Sequence, residues 1–188
     1  YQYMDEVIRN IPPGSDHLVC TPWMLGERCP VSSTTTRATL FNINMVHTRE
    51  HLMRAVYEGI GYNLRWILEN YKQDYGFTCD NFRIIGGGAL DDGWMQIIAD
   101  ITGKHFAVVK DPRNAGAVGV AVVALIGLGE LPGFEAAKDF VQIEKRYKPD
   151  PENKAIYDDL FEDYKNIYKS LEKAYIIANG RRFTGEEQ

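Results

Sequence analysis

The sequence feature that most constrains the fold is a run of three glycines, Gly86, Gly87 and Gly88, between two apolar segments. The segment before it, residues 82–85, is mostly apolar, and the segment after it, residues 92–102, has the apolar spacing of a helix. Because glycine has no Cβ, such a run lets the backbone adopt positive φ and pass close to a flat molecule. The pattern predicts a strand, a tight turn and a helix, with a ligand against the turn.

The charged residues beside the glycines limit which kind of ligand can bind at the turn. A phosphate loop needs helix N-terminal amides that are free to face an anion. No Lys-Ser or Lys-Thr follows the glycines, and Asp91 stands where the dinucleotide pattern has its third glycine. Asp91 and Asp92 also occupy N-cap positions, where they would use the amides themselves and repel a polyphosphate. The turn suits the base and ribose of a nucleotide better than its phosphates; a turn without any ligand stays open as the alternative.

Composition excludes several classes of protein. The 188 residues, with 45% hydrophobic and 12% aromatic content, are typical of one globular domain. A net charge of −5 without a strongly basic run argues against nucleic acid as a partner. The most apolar stretch, residues 115–128, is shorter than the roughly 20 residues that a bilayer crossing needs. We therefore expect a soluble protein with no membrane partner.

The cysteines and histidines show no metal-binding pattern. Cys20, Cys29 and Cys79 are odd in number and form no Cys-x-x-Cys pair, which argues against both a disulfide framework and a zinc site. The four histidines also lack metal-ligand spacing, so surface or cap positions are expected for them. No metal-binding residue is predicted, and a reducing cytoplasm fits this cysteine usage best.

Hydrophobic periodicity predicts helices that alternate with strands. Thr48 is the predicted N-cap of a long helix reaching about Tyr75. Its predicted core face is Leu52, Ala55, Val56, Gly59, Ile60, Asn63, Leu64, Ile67, Leu68 and Tyr71. Because glycine weakens a helix, Gly59, Gly61 or both should mark close packing against another element.

The remaining segments complete an α/β pattern. Further helices are predicted at residues 3–11, 92–102 and 115–124 and beyond Pro149, and strands at residues 17–21, 38–43, 82–85 and 105–109. The small residues of the third of these helices would let it approach a sheet or another helix closely, and an ordinary packing helix without such a close approach is the favoured alternative. An aromatic stripe on the last helix, from Tyr157 to Tyr175, is expected in the core. The alternation favours an α/β domain.

Several motifs occur together in an order that is typical of one family. They are Pro13-Gly14 before a strand, a loop over residues 21–30 that contains Gly26, Glu27, Arg28 and Pro30, a second signature over residues 38–43 and 51–58, the glycine turn, and the small-residue helix. In this order they resemble the C-terminal domain of the FGGY carbohydrate kinases, most closely the xylulokinase-like branch. The resemblance covers nearly the whole chain. It departs at Asn42, where the family usually has glycine.

The resemblance implies a fold and a reaction. The fold is α/β: one actin-like, ribonuclease H-like ATPase lobe, a mixed sheet flanked by helices, with residues 1–188 as a single domain. The reaction transfers the γ-phosphoryl group of ATP, bound with Mg²⁺, to a hydroxyl of a pentulose or related polyol. The sugar-binding N-terminal lobe lies outside this chain and is its implied partner. A homodimer stays open, since the sequence does not set the oligomeric state.

The nucleotide-binding residues follow from the same resemblance. They are Gly86, Gly87, Gly88, Ala89, Asp91 and Asp92. The backbone of the first four would lie along the adenine and ribose, and Asp92 would face the adenosine edge. Asp91 is also a candidate for the helix cap, which competes with this role.

The resemblance also carries implications for the cleft between the lobes and for the catalytic base. Glu27 and Arg28 would shape the cleft near the hinge, or would form an ion pair that braces their own loop. In the family the general base is an Asp that precedes the region covered here. No aspartate in this chain stands in the matching context, so no catalytic residue is expected and the fragment alone should be inactive.

Two rival functions are weighed against the kinase. A non-catalytic nucleotide-binding module with the actin-like fold, used in regulation or assembly, would carry the same glycine turn. A dinucleotide-dependent oxidoreductase is disfavoured, because Asp91 replaces the third glycine and no early strand-glycine-helix unit is present.

Overall fold

Five helices and five strands make up the part of the chain described by the computed structural model, residues 2–180. The helices are α1 (Gln2–Arg9), α2 (Arg49–Tyr75), α3 (Asp92–Thr102), α4 (Ala115–Gly127) and α5 (Lys154–Asn179). The strands are β1 (Val19–Thr21), β2 (Thr39–Phe41), β3 (Asn81–Ile84), β4 (His105–Val109) and β5 (Ile143–Tyr147). Residue 1 and residues 181–188, which belong to the predicted single domain, lie outside the described residues.

The strands form two sheets. Strands β1 and β2 pair antiparallel, with Cys20 opposite Leu40. In the second sheet, ordered β3-β4-β5, β3 and β4 are parallel and β5 is antiparallel to β4. Helix α3 forms the crossover between the two parallel strands, as a βαβ connection requires. The predicted mixed sheet flanked by helices is confirmed.

Helix α2 has the predicted ends and the predicted close contacts. Thr48 is its N-cap, and Gly76, with φ 65°, ends it. A Cβ on Gly59 would lie 2.1 Å from the carbonyl oxygen of Cys20 in β1, and one on Gly61 would lie 2.7 Å from Ile101 Cδ1 in α3. Both glycines are therefore required by packing, which confirms the expectation.

The buried face of α2 differs from the predicted one. Its buried residues are His51, Arg54, Ala55, Glu58, Gly59, Gly61 and Tyr62. Ile60 and Tyr71, predicted to lie in the core, are 36% and 48% exposed. Ala55 and Gly59 of the predicted face are buried, but the prediction was wrong for Ile60 and Tyr71. It also omitted Arg54 and Glu58, which are buried as a pair although charged residues are mostly exposed.

The ion pair between Arg54 and Glu58 joins four parts of the fold. Arg54 Nε donates to Glu58 Oε1 at 2.8 Å, and its terminal nitrogens donate to the carbonyls of Ile8 and Ile11 and to the Tyr157 hydroxyl. Burial raises the pKa of Tyr157 far above its ordinary value, so the hydroxyl stays protonated and donates to Glu58. Each charge thus has several partners, which a buried pair needs.

The same carboxylate holds a strained turn. Four successive residues, Gly14, Ser15, Asp16 and His17, have positive φ of 85°, 49°, 50° and 62°. The left-handed conformation costs roughly 1–2 kcal/mol for each residue that is not glycine. Glu58 accepts from the backbone N–H of Gly14 at 2.9 Å and from Ser15 Oγ at 2.7 Å. These two hydrogen bonds offset the strain and fix the turn on α2.

The aromatic stripe of α5 lies in the core, as predicted. Tyr157, Phe161 and Tyr164 are fully buried. The indole ring of Trp23, from the loop after β1, lies 5.5 Å from the ring of Tyr164 and 5.3 Å from that of Tyr168. These rings attach α5 to the loop after β1 and to α2.

Helix α4 does not pack as its small residues predicted. Within residues 2–180, no atom lies within 4 Å of a Cβ built on Gly116, Gly119 or Gly127. Val120 and Val123 are 71% and 55% exposed, and Val122 is the buried residue of this helix. The apolar surface of α4 therefore faces outward.

No helix in the described chain is long and apolar enough to span a membrane.

We predict that the substitution Glu58→Ala lowers the free energy of unfolding by about 3–5 kcal/mol, because it leaves Arg54 buried without its charge partner. Urea unfolding followed by circular dichroism measures the loss. The matched control is Glu69→Ala, which removes the acid of the exposed pair Arg65–Glu69 at the same spacing in the same helix. That change should cost less than about 1 kcal/mol. Equal losses in the two variants would contradict the role given to the buried pair.

Candidate functional site

The glycine turn lies at the carboxyl ends of the two parallel strands. It follows β3, and the loop of residues 110–114 follows β4. The backbone N–H of Gly86 donates to the carbonyl of Pro112 at 2.8 Å, which ties the two loops together. In open α/β sheets, ligands bind outside the carboxyl ends of parallel strands. The turn therefore lies where ligands are bound in sheets of this kind, which keeps the ligand prediction for it.

Gly86 is the residue that leaves room for a ligand. Its φ of 100° and ψ of 174° belong to a region that is essentially restricted to glycine. Apart from Gly86 and its two chain neighbours, no atom of residues 2–180 lies within 4 Å of the position that a Cβ would take there. The backbone at Gly86 is thus open to close approach, and the strand-turn-helix prediction is confirmed around it.

Gly88 serves the packing of the protein itself. A Cβ on Gly88 would lie 2.2 Å from Trp94 Cζ3. The Trp94 indole also packs on Tyr57 of α2, with ring centroids 5.3 Å apart, and donates to the Tyr57 carbonyl at 3.4 Å. An indole ring therefore fills the space beside Gly88 that the sequence had suggested for a ligand. Ala89, the next residue, is buried.

Gly87 is the remaining glycine of the run. It begins the short 3₁₀ turn Gly87–Leu90 and is partly exposed. Gly86 and Gly87 are consequently the residues of the predicted set whose backbone a ligand could reach most directly.

Asp91 is the N-cap of α3, as predicted. Its Oδ1 accepts from the backbone N–H of Trp94 at 3.0 Å, and its Oδ2 accepts from the Tyr57 hydroxyl at 3.2 Å. The side chain is almost fully buried. Both carboxylate oxygens thus have partners inside the protein, which favours the cap over a ligand contact.

Asp92 is half-exposed and bridges α3 to β5. Lys145 Nζ donates to it at 2.7 and 2.9 Å, and the Tyr147 hydroxyl donates at 2.5 Å. Hydrogen bonding from Lys145 and then from Tyr147 lowers the pKa of Asp92 below its ordinary value, so it is ionised at neutral pH. The charge of Lys145 offsets that of Asp92 beside the turn, an effect that sequence spacing could not reveal.

Glu27 braces its loop through backbone groups rather than through an ion pair with Arg28. Glu27 Oε1 accepts from the backbone N–H groups of Arg28 and Cys29, at 2.7 and 3.3 Å. Its other oxygen lies 3.5 Å from Asn63 Nδ2 of α2. The Arg28 side chain is exposed, and no ion pair joins it to Glu27 within the described chain. The cleft role of these two residues stays a prediction.

Sequence reasoning missed the residues that support the turn. Tyr57 and Pro112 lie 29 residues before and 26 residues after Gly86. Lys145 and Tyr147 are 53 and 55 residues from Asp92. No local periodicity signals such contacts. Trp94 stands close enough in sequence to be noticed, but its packing over Gly88 depends on the path of the backbone.

The glycine turn does not line the cavity of about 620 Å³ that the structure contains. This cavity lies at the opposite, amino ends of β3 and β4, where Asp80 and Lys104 line it. Among residues 2–180, no group of three or more His, Cys, Asp or Glu side chains is placed to hold a metal ion. The turn itself offers a backbone surface at the strand ends.

Comparisons with known proteins agree on one family. The model of the FGGY family of carbohydrate kinases, C-terminal domain, matches residues 7–128. Xylulose kinase of Bacillus subtilis is 33% identical over 170 residues, which are 89% of this chain and 34% of that protein. Gluconokinase of Bacillus licheniformis is 28% identical over 97% of this chain and 36% of its own length. The chain therefore spans about a third of the relatives it matches.

Solved structures show the same similarity. Xylulose kinase from Rhodospirillum rubrum superposes with a TM-score of 0.79 at 30% identity, over 93% of this chain and 34% of that one. Gluconate kinase from Lactobacillus acidophilus superposes with a TM-score of 0.82 at 27% identity, over 93% and 35% of the two chains. The actin-like, ribonuclease H-like fold class is thereby confirmed.

We predict that Gly88→Ala destabilises the protein and that Trp94→Leu in the same chain relieves part of this loss, because the added methyl group and the indole ring compete for one space. Gly86→Ala is the matched control. It strains the backbone by about 1–2 kcal/mol through its positive φ, and Trp94→Leu should not relieve it. Double-mutant cycles from urea unfolding measure the coupling energies. Coupling of Trp94 to position 86 but not to position 88 would contradict this account.

Proposed function

We propose a function from the premise that this chain belongs to the FGGY family of carbohydrate kinases, whose C-terminal domain it matches. In this proposal, residues 86–89 hold the adenosine of ATP in an enzyme that transfers the γ-phosphoryl group to a hydroxyl of a pentulose or related polyol. The described chain forms one domain of that enzyme, which works in the cytoplasm, where ATP is available.

The open backbone at Gly86 carries the proposal. It combines positive φ, empty space beside the Cα and a hydrogen bond to Pro112 that brings two strand-end loops together. A flat purine can lie against such a surface, because no side chain stands between the ligand and the peptide planes. Gly87 extends the same surface, whereas Gly88 and Ala89 support it from within.

The turn favours adenosine over the phosphates of ATP. One of the amides that α3 could offer to an anion, that of Trp94, already donates to Asp91. Asp92 adds a second carboxylate at the same helix end, with its charge offset by Lys145. An anionic phosphate would thus meet two carboxylates at this helix end, and one cation, Lys145, beside them. We propose that the phosphates and their Mg²⁺ point away from α3, toward groups in the rest of the enzyme.

The remaining two-thirds of a full-length relative would supply the other half of the reaction. Phosphoryl transfer depends on holding ATP and the acceptor hydroxyl in line and on neutralising charge. In the proposed enzyme the N-terminal lobe binds the sugar and carries the aspartate that accepts its proton. Closure of the two lobes would exclude water and limit hydrolysis of ATP.

The sugar is proposed to be a pentulose, since xylulose kinases are among the relatives that reach 30% identity or more. Gluconokinases match at slightly lower identity over more of the chain. The contacts that separate these acceptors would come from the sugar-binding lobe.

Ligand choice tests the nucleotide proposal. We predict that the 188-residue chain binds adenosine, ADP and a non-hydrolysable ATP analogue with affinities within about tenfold of one another, that is within ~1.4 kcal/mol. Calorimetry measures the affinities, and hydrogen exchange should show protection of the amides of residues 86–90. A preference for the ATP analogue of more than about a hundredfold would contradict the proposal, because it requires a phosphate site among these residues.

Activity tests the division between lobes. We predict that the 188-residue chain folds but phosphorylates no sugar, because a general base contributes ~10²–10⁴-fold and alignment of both substrates contributes up to ~7–11 kcal/mol. A coupled ADP-release assay with D-xylulose, D-ribulose, glycerol and gluconate measures turnover. Bacillus subtilis xylulose kinase serves as the positive control. Sugar-dependent turnover near that of the control would show that the base lies within this chain.

A further inference from the structure

A second cavity lies away from the glycine turn, between the β1–β2 pair and α5. Its volume is about 420 Å³, which is within the range of small-ligand sites. His17 and Asn42 line it from the strand side, and Asp163, Asn166 and Ser170 line it from the helix side. It shares no element with the turn at the ends of β3 and β4, so it is not explained by the proposed nucleotide site.

The strand side of this cavity is held in a strained conformation. His17 and Asn42 both have positive φ, 62° and 72°, and neither is glycine. Asn42 Nδ2 donates to the carbonyl of His17 at 3.1 Å, so the two strained residues are tied together. Glu58 fixes the turn that leads to His17. Strain that surrounding groups maintain in this way is found mainly at sites that bind or act.

The helix side presents three polar side chains in one row. Asp163, Asn166 and Ser170 follow the i, i+3, i+7 spacing that places residues on one face of a helix. All three are exposed. Within the described part of the chain, the structure shows no hydrogen bond or ion pair for these side chains. Their donors and acceptors are therefore available to a ligand.

The lining indicates the chemistry of the ligand. Asn166 and Ser170 can each donate and accept, and Asp163 accepts two hydrogen bonds, which suits several hydroxyl groups at once. Phe41, which is half-exposed, adds an apolar surface for the C–H side of a carbohydrate chain or ring. No lysine or arginine is found among the described residues that line the cavity, which disfavours phosphates and carboxylates.

We propose that this cavity binds a neutral polyhydroxylated molecule, a polyol or an unphosphorylated sugar. The strained His17–Asn42 edge and the row on α5 form opposite walls, and the hydroxyl groups of the ligand bridge them. This site is additional to the sugar site of the proposed kinase reaction, which we place in the other lobe.

Titration of the 188-residue chain with xylitol, followed by amide chemical shifts, tests the proposal. We expect saturable shifts at His17, Asn42 and Asn166. The variants Asn166→Ala and Ser170→Ala should each weaken binding at least about fivefold, the effect of losing one hydrogen bond. Lys169→Ala, on the same helix but outside the cavity, is the matched control and should leave the affinity unchanged.

Two further arms complete the test. Gluconate and inorganic phosphate should bind at least about tenfold more weakly than xylitol, because no cation lines the cavity. The affinity for adenosine, measured in the same variants, should stay unchanged. This measurement shows whether the nucleotide site is intact. Three outcomes would each overturn the proposal, whatever the result for adenosine. They are the absence of saturable shifts with xylitol, equal xylitol affinity in Asn166→Ala and Lys169→Ala, and tighter binding of an anion than of xylitol.

Discussion

The buried pair of Arg54 and Glu58 is the interaction on which the rest of the structure depends. Taking two charges out of water costs several kcal/mol for each, and their mutual attraction alone does not offset this. The surroundings supply the difference: two carbonyls of the N-terminal segment, the Tyr157 hydroxyl, and the donors of the turn at Gly14 and Ser15. The pair therefore specifies how the N-terminal segment, α2 and α5 meet.

Helix α2 connects the buried ion pair to the glycine turn. Gly59 and Gly61, next to the ion pair, let β1 and α3 approach closely enough to pack. Tyr57, on the same helical turn, supports both the Asp91 cap and the Trp94 ring. The position of the turn relative to the body of the protein is thus set by contacts inside the protein, while the backbone at Gly86 stays open.

The two candidate sites differ in the chemical groups that they offer to a ligand. The glycine turn offers peptide planes without side chains and without net positive charge, which suits a flat base. It needs further walls from elsewhere to enclose a ligand. The cavity beside α5 is walled by side chains of this chain alone and offers several hydrogen-bonding groups at a strained edge. The turn that leads into that edge is held at Gly14 and Ser15 by the same carboxylate, Glu58, that organises the core.

Features that depend on neighbours within a few residues could be predicted from the sequence: the strand, turn and helix around Gly86, the ends of α2, the Asp91 cap and the aromatic face of α5. Those features follow from backbone geometry and local periodicity, and the motif order added the family. Only the tertiary structure decided that Arg54 and Glu58 are buried, that Lys145 neutralises Asp92, and that α4 faces outward. Arg54 and Glu58 are only four residues apart, but the groups that make their burial possible, the carbonyls of Ile8 and Ile11 and the Tyr157 hydroxyl, lie far away in sequence. Only packing brings such groups together, as it brings Lys145 to Asp92.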